Sequence, residues 1–366
     1  MKRKLYVAAT GEHKGKTTCT LGLVAAIRDK GFNAGYCKPV GQKHLMLRGK
    51  MTDKDAVLFE DVLQFKVNPE IHSPVVIASG VTADFIKNPS HFDFNSKIKY
   101  ASECLENKHD IIIYEGTGHA GVGSIIKLSN AQVAKMLGAE VILIAEGGIG
   151  RTIDRLNLNL ALFRELNVPI KGIIINKVHL DKIEHVREHL TIVLKEIGIP
   201  LLGVIPFDRT LSFPLIATVS KTIKAKIIFN EHQINNQVEE ILAGSSIKIN
   251  EFTYLRNMLL ITNQANLKSA VEKIKLHAEE RGLESSPLSG VIITGDGKQN
   301  IWYDESTLAN SYLINNEIPV LSTNLEVYDT VVAISRIEVK INTNTPWKVK
   351  RAIKMIQENV DIDKLL

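Results

Sequence analysis

Cysteine is scarce: the 366 residues contain three, Cys19, Cys37 and Cys104, and their spacing matches no metal-binding pattern. An odd, unpatterned set excludes a disulfide framework, fits a reducing compartment, and leaves the thiols as small apolar residues. No uninterrupted apolar run is long enough to span a bilayer. The basic start Met1-Lys2-Arg3-Lys4 leads into a short strand without the apolar stretch and cleavage site of a secretory signal, so a cytoplasmic location with no membrane partner is expected. Charge is not concentrated either. The formal net charge of +5 is spread along the chain, and Lys/Arg clusters interleaved with aromatics are lacking, so nucleic acid is not an expected partner. Low-complexity tracts and internal repeats are also lacking. What remains is ordinary globular composition, 45% hydrophobic and 23% charged, at a length that fits two domains or three.

Against that background one stretch stands out. Ala8-Ala9-Thr10-Gly11-Glu12-His13-Lys14-Gly15-Lys16-Thr17-Thr18 follows the apolar run Leu5 to Ala8. It opens a helical pattern in which Leu21, Val24, Ala25 and Ile27 recur on one face, and which ends at Gly31 after basic residues. The stretch reads as a phosphate-binding loop. Backbone N–H groups at the positive end of a helix surround a polyphosphate, Lys16 reaches its outer phosphates, and the Thr17 hydroxyl reaches a magnesium ion. The usual pattern places glycine where Thr10 stands, and Gly11 comes one residue late. A plain helix N-terminus competes with this reading, but the strand, loop and helix context favours phosphate.

Next, Ala34 to Tyr36 is a short strand that delivers Lys38-Pro39-Val40 at its carboxyl end, where ligands gather in a doubly wound sheet. Lys38 would face the same phosphates as Lys16, or be a solvated lysine before a turn. The polar, basic segment Gly41 to Lys54, with His44, Arg48 and Lys50, reads as a loop that covers a nucleotide. Asp55 is either a magnesium ligand or a helix cap. Pro74 to Ala78 and Gly80 form a strand-and-turn unit, and a helix runs from about Phe94 through Leu105. The buried strand Ile111-Ile112-Ile113-Tyr114 ends in Glu115-Gly116-Thr117-Gly118, a carboxylate placed to orient hydrated magnesium beyond a phosphate loop. Strands at Val141 to Ala145, Ile170 to Ile175 and Leu202 to Ile205 then alternate with helices at Ala131 to Leu137, Ile153 to Leu166 and Glu184 to Ile197, which implies a parallel sheet covered on both faces. His185 and His189, one turn apart with His179 nearby, form an incomplete zinc set, and a solvated helix face is the preferred reading.

After Pro214 the rhythm changes. A helical Val238 to Leu242, a Gly244-Ser245-Ser246 turn, strands at Leu259 to Thr262, Gly290 to Thr294 and Ile318 to Leu321, and helices at Ala270 to Gly282 and Thr307 to Leu313 describe a second, smaller α/β domain. Gly295-Asp296-Gly297 reads as a tight turn. Pro346 to Asn359 is an amphipathic helix free to pack on either domain.

The ordered set Gly15-Lys16-Thr17, Tyr36-Cys37-Lys38-Pro39-Val40, Asp55, Glu115-Gly116-Thr117-Gly118 and Asn176-Lys177 resembles the dethiobiotin synthetase group of P-loop proteins. Ser73-Pro74-Val75, Asp208-Arg209-Thr210, Ser335-Arg336-Ile337 and the ending Val360 to Leu366 extend the resemblance over nearly the whole chain. They resemble the dethiobiotin-synthetase-like plus DRTGG region at the front of long bacterial phosphotransacetylases, which also occurs free-standing. The resemblance implies a P-loop NTPase-type, doubly wound, mostly parallel α/β sheet over 1–214, a DRTGG-like regulatory or ligand-binding α/β domain over 215–340, and a C-terminal helix and tail over 341–366. It also implies ATP and magnesium as cofactors. Gly11, Glu12, His13, Lys14, Gly15, Lys16, Thr17 and Thr18 would cradle the phosphates with Glu115, Gly118 and Lys177. Thr17, Asp55 and Glu115 would hold the metal, Lys16 and Lys38 would act on the phosphoryl group, and Asn176 would read adenine, whose edge matches an amide's donor and acceptor. A homodimer follows from the same group.

Two departures bear on chemistry. The lead into the loop is Ala9-Thr10-Gly11-Glu12-His13-Lys14, and Gly41-Gln42-Lys43 follows Lys-Pro-Val where the synthetase has a serine-containing segment of its substrate side. Biotin chemistry is therefore not expected, nor is acetyl transfer, because the phosphotransacetylase catalytic domain would lie beyond Leu366. The expected function is Mg-ATP binding with weak ATPase activity and a second domain that senses a small metabolite. The alternatives are a ligase or kinase that activates a carboxylate or carbamate as a mixed phosphate anhydride, and a scaffold or dimerisation module in which the loop is a relic.

Overall fold

A computed structural model describes residues 2–243, 256–296, 310–337, 339, 341 and 345–366. The chain divides into two compact units, Met1–Asp208 with Ile341–Leu366, and Arg209–Lys340.

In the first unit the long apolar runs become strands because both faces of a parallel sheet are covered. These are Arg3–Ala9 (β1), Ala34–Cys37 (β2), Ile111–Glu115, Glu140–Glu146, Ile170–Val178 and Leu201–Pro206. Between β2 and Ile111–Glu115 lie four short strands, Val40–Gly41 (β3), His44–Leu47 (β4), Lys50–Asp53 (β5) and Val75–Val76 (β6). The long strands that follow are therefore β7, β8, β9 and β10. The sheet order is β10-β9-β8-β1-β7-β2, parallel throughout. Helices Lys16–Asp29, Phe94–Glu106, Asn130–Leu137, Gly150–Glu165 and Ile183–Glu196 make the crossovers. Because β7 lies on one side of β1 and β8 on the other, the loops after β1, β7 and β8 converge at the carboxyl edge where the strand order reverses.

The segment read as a loop from Gly41 to Lys54 is instead mostly a hairpin, β4 against β5. Its two turn residues, Arg48 (φ 51°) and Gly49 (φ 78°), both adopt the left-handed backbone that a two-residue hairpin turn requires. The C-terminal helix, Pro346–Asn359, belongs to the first unit and packs on helix Lys16–Asp29. Gly22 makes that approach possible, since a Cβ there would lie 2.3 Å from Ile356 Cγ1.

The second unit has Lys226–Phe229 (β11), Glu240–Ala243 (β12), Met258–Asn263 (β13), Leu288–Thr294 (β14) and Val320–Thr323 (β15) in the order β11-β15-β14-β13-β12, with β11 antiparallel to its neighbour. Its two faces bury separate apolar clusters, one with Leu260, Ile274 and Ile293 and the other with Ile216, Ile261 and Ile334. The expected helix Val238 to Leu242 is a correction: Glu240–Ala243 is a strand, paired in parallel with Met258–Ile261. A run this short carries no decisive period, and the neighbouring strand's open N–H and C=O groups settle its conformation. The Gly244-Ser245-Ser246 turn, Gly297, and residues 307–309 of the expected Thr307 to Leu313 helix lie outside the described residues; Ser311–Asn315 is helical.

Candidate nucleotide-binding site

The loop between β1 and helix Lys16–Asp29 turns into the helix at Gly15, which has φ 84° and acts as N-cap without a side-chain bond. Two constraints require glycine there. The left-handed backbone is one, and the other is space, because a Cβ would sit 2.1 Å from Asn176 Nδ2. Asn176, buried at the end of β9, donates through that nitrogen to the Lys14 carbonyl at 2.9 Å. Lys177 Nζ donates to the His13 carbonyl at 2.6 Å. Gly11 is not sterically demanded in the same way: its nearest neighbour, Lys14 Cε, would be 3.5 Å from a Cβ. Glu12 and His13 are exposed, and His13 Nε2 is 3.6 Å from Glu12.

Lys16 leaves the first turn of the helix and donates to the Gly118 carbonyl at 3.0 Å, which ties the loop after β1 to the loop after β7. Thr17 Oγ1 donates to Glu115 Oε1 at 2.7 Å. Glu115 lies beside Val7 in the β1–β7 register and is fully buried. Its other oxygen accepts from the buried Tyr36 hydroxyl at 3.0 Å. Thr18 stands in the same first turn, half-buried.

Lys38 emerges from the end of β2 into a group of three carboxylates. Its ammonium pairs with Asp55 and lies 3.4 Å from Asp53 and 3.7 Å from Glu115. Burial alone would push Lys38 toward neutrality, but Glu115, Asp55 and Asp53 outweigh it, so its pKa lies above the ordinary lysine value. The same imbalance acts on the acids. Burial, then Asp55, raises Glu115 against the pull of Lys38, Thr17 and Lys16, and Asp53 is raised for like reasons. Asp55 is not the helix cap: Asp53 caps helix Lys54–Leu63 by accepting from the Asp55 N–H, and the Asp55 carboxylate faces Lys38. Gly41 makes room for this, because a Cβ there would lie 2.6 Å from Asp53.

Lys14 points elsewhere, to Glu146 at the end of β8, which also has Lys177 at 3.5 Å and Arg155 at 3.9 Å. Burial pushes Glu146 up, but Lys14 and Lys177 overcome it and hold it below the usual carboxylate range. Asn130 organises the loop after β7 by accepting from the Thr117 N–H and donating to the Thr117 and His119 carbonyls. Sequence reasoning missed Tyr36, Asp53, Asn130 and Glu146 as members of the site. Glu146 carried a usable signal, a carboxylate ending a buried parallel strand, whereas the others depend on which strands are neighbours. His185 and His189 lie on an exposed helix face, and among the described residues no group of three or more His, Cys, Asp or Glu side chains is arranged to hold a metal ion by itself.

A glycine-flanked loop between a central parallel strand and a helix, with its lysine and threonine directed at the neighbouring strand's carboxyl end, defines a P-loop protein. Residues 3–214, more than half of the chain, match the AAA domain family AAA_26, and the chain belongs to that family. A phosphate acetyltransferase of Nitrosomonas europaea is 24% identical over 97% of this chain and 50% of its own length, so the chain spans about half of that relative. An ATP-dependent dethiobiotin synthetase of Clostridium kluyveri is 32% identical over 50% of this chain and 77% of the synthetase. Among solved structures, the cobyrinic acid a,c-diamide synthase of Mycobacterium smegmatis with bound ADP and magnesium covers 57% of this chain and 88% of that one at 18% identity and a TM-score of 0.36. The P-loop domain is thus homologous to an ATP-dependent synthetase. Among the described residues no helix is long and apolar enough to cross a membrane.

Proposed function

We propose that the phosphate loop binds ATP with magnesium, that the protein hydrolyses ATP slowly, and that residues 215–340 form a DRTGG-like unit whose response to a small metabolite regulates the site. The observation that carries the reading is the convergence of Thr17, Asp55 and the buried Glu115 beside Lys16. Three carboxylates lie around the Lys38 ammonium, with Lys16 also acting on Glu115, and this set of oxygen donors fits a hard divalent cation. Thr17, Asp55 and Glu115 would hold magnesium, which supplies charge neutralisation on the phosphate oxygens. The protein's own part is positional. Gly15 lets the loop amides turn inward, Lys16 carries its charge to the outer phosphates, Lys38 is held protonated by the acids, and Gly118 lets the backbone of the loop after β7 come close. Asn176 and Lys177 brace the loop from β9, and the Asn176 amide has the donor and acceptor needed to read a purine edge. We also propose a homodimer, which sedimentation measurements test directly.

A thermal-shift titration with ATP, ADP and GTP, each with and without magnesium, tests the reading on wild type and Lys16→Ala. ATP with magnesium at a hundred times its dissociation constant should stabilise the wild type by about 2.7 kcal/mol and leave Lys16→Ala unshifted. No shift in either protein removes the nucleotide reading and favours a scaffold. The 32% identity with a synthetase favours a second reading, phosphoryl activation of a carboxylate or carbamate. A metabolite that accelerates phosphate release as it is consumed selects that reading; one that accelerates release unchanged selects regulation.

A further inference from the structure

A cavity of about 160 Å³ opens at the edge strand β2, away from the phosphate loop residues and lined by none of them. Its charged lining is of one sign, Arg28, Lys66 and Lys108, beside the imidazoles of His72 and His109, with no carboxylate among the lining residues. Aromatic and aliphatic walls come from Tyr36, Phe65 and Leu105. The guanidinium is fixed in place. Arg28 Nε and Nη2 donate to the Ala34 carbonyl at 2.9 and 2.8 Å, and Nη1 donates to the Leu63 carbonyl at 3.1 Å. A guanidinium has five N–H groups, so each terminal nitrogen keeps one beyond these contacts. Phe65 lies under the same group at 5.9 Å. His72 is anchored through Nδ1 to the Asn68 backbone, and His109 through Nδ1 to Asn33.

We infer that this cavity is a binding site for a compact oxyanion, a phosphate or small carboxylate on the order of five to eight non-hydrogen atoms, given that a 150 Å³ cavity holds benzene. A positioned guanidinium and two lysines at the rim supply positive charge, the buried His72 and half-buried His109 imidazoles add hydrogen-bond groups, and the apolar wall lowers competition from water. Burial first lowers both imidazoles; the Asn68 backbone opposes this at His72, while Lys108 adds to it at both and Arg28 at His109, so the rings enter the cavity as neutral hydrogen-bond groups. The nearby acids Glu60 and Asp110 act in the opposite sense on His72 and His109 but do not line the cavity. Tyr36 lines the cavity and its hydroxyl donates to Glu115, so the cavity shares a residue with the proposed magnesium cluster.

The test is isothermal titration calorimetry of the full chain, free of nucleotide and magnesium, with inorganic phosphate and with succinate in separate titrations. Four proteins are compared: wild type, Lys16→Ala, the double variant Lys66→Glu/Lys108→Glu, and the charge-matched control Lys97→Glu/Lys99→Glu on the exposed face of helix Phe94–Glu106. The expected result is one saturable site for at least one anion, retained in Lys16→Ala and in the control, and weakened about tenfold or more by Lys66→Glu/Lys108→Glu. The arm that saturates distinguishes phosphate from carboxylate. Loss of binding in Lys16→Ala would place the anion in the phosphate loop, equal weakening in the control would reduce it to general attraction, and absence of saturation with both anions would leave the cavity empty. Each of these overturns the assignment, while leaving the ATP reading to its own titration.

Discussion

Lys38 illustrates how one side chain can hold a site together before any ligand arrives. Its ammonium sits among Asp53, Asp55 and Glu115, so removing it leaves buried carboxylates without that partner. Lys38→Met should therefore destabilise the protein by about 3–5 kcal/mol. Magnesium alone should restore part of the loss, because it would take the place of the missing charge; melting curves with and without magnesium check this. Gly15→Ala acts through backbone and space together, with φ 84° and Asn176 in the way. It should abolish ATP-dependent stabilisation in the same assay. His72 carries a pH dependence. Burial pushes its pKa down to about 4, below the unfolded value of about 6.5, so the unfolded chain binds more protons between these limits. Stability from this residue is complete above about pH 6.5 and lost as pH falls toward 4, by an amount on the order of 3 kcal/mol. Denaturant titrations from pH 4 to 7 on wild type and His72→Leu should show a steeper loss of stability toward pH 4 in the former.

At the scale of elements, the contact between helix Lys16–Asp29 and the C-terminal helix depends on Gly22. Gly22→Ala would press a methyl group against Ile356 and should cost about 1–3 kcal/mol as an overpacked contact. Ile356→Ala in the same chain should recover part of this, a coupling that a double-mutant cycle measures. The hairpin β4–β5 matters to the site for a different reason. It ends at Asp53, whose side chain caps the next helix while its backbone N–H donates to Ser73 Oγ at 3.0 Å, so strand end, cap and acid cluster are one local arrangement. Glu146 plays the matching part at the end of β8, where it gathers Lys14, Lys177 and Arg155.

For the whole molecule, the last segment of the sequence completes the first unit. Val360 bridges to Gly203 and the Asp361 N–H donates to the Leu202 carbonyl at 2.8 Å, so the tail reaches the β10 edge. Deleting residues 341–366 should weaken nucleotide-linked stability and leave hydrogen-exchange protection of β13 and β14 unchanged, which mass-resolved exchange can read unit by unit. Near-neighbour chemistry was legible from the sequence alone. The apolar runs announced buried parallel strands, the Gly15-Lys16-Thr17 step announced a phosphate loop, and Glu115 announced a carboxylate at a strand end. Those features arise within a few residues, from periodicity, turn geometry and the dipole of one helix. The tertiary structure alone decided that Thr17, Tyr36, Lys38, Asp53, Asp55 and Glu115 share one cluster around the buried Glu115, that Asn176 closes over Gly15, and that Glu240–Ala243 is a strand. These depend on the order β8-β1-β7-β2 and on the partner strand β13, which bring distant segments together to satisfy backbone groups and bury apolar faces that no single segment can satisfy or bury alone.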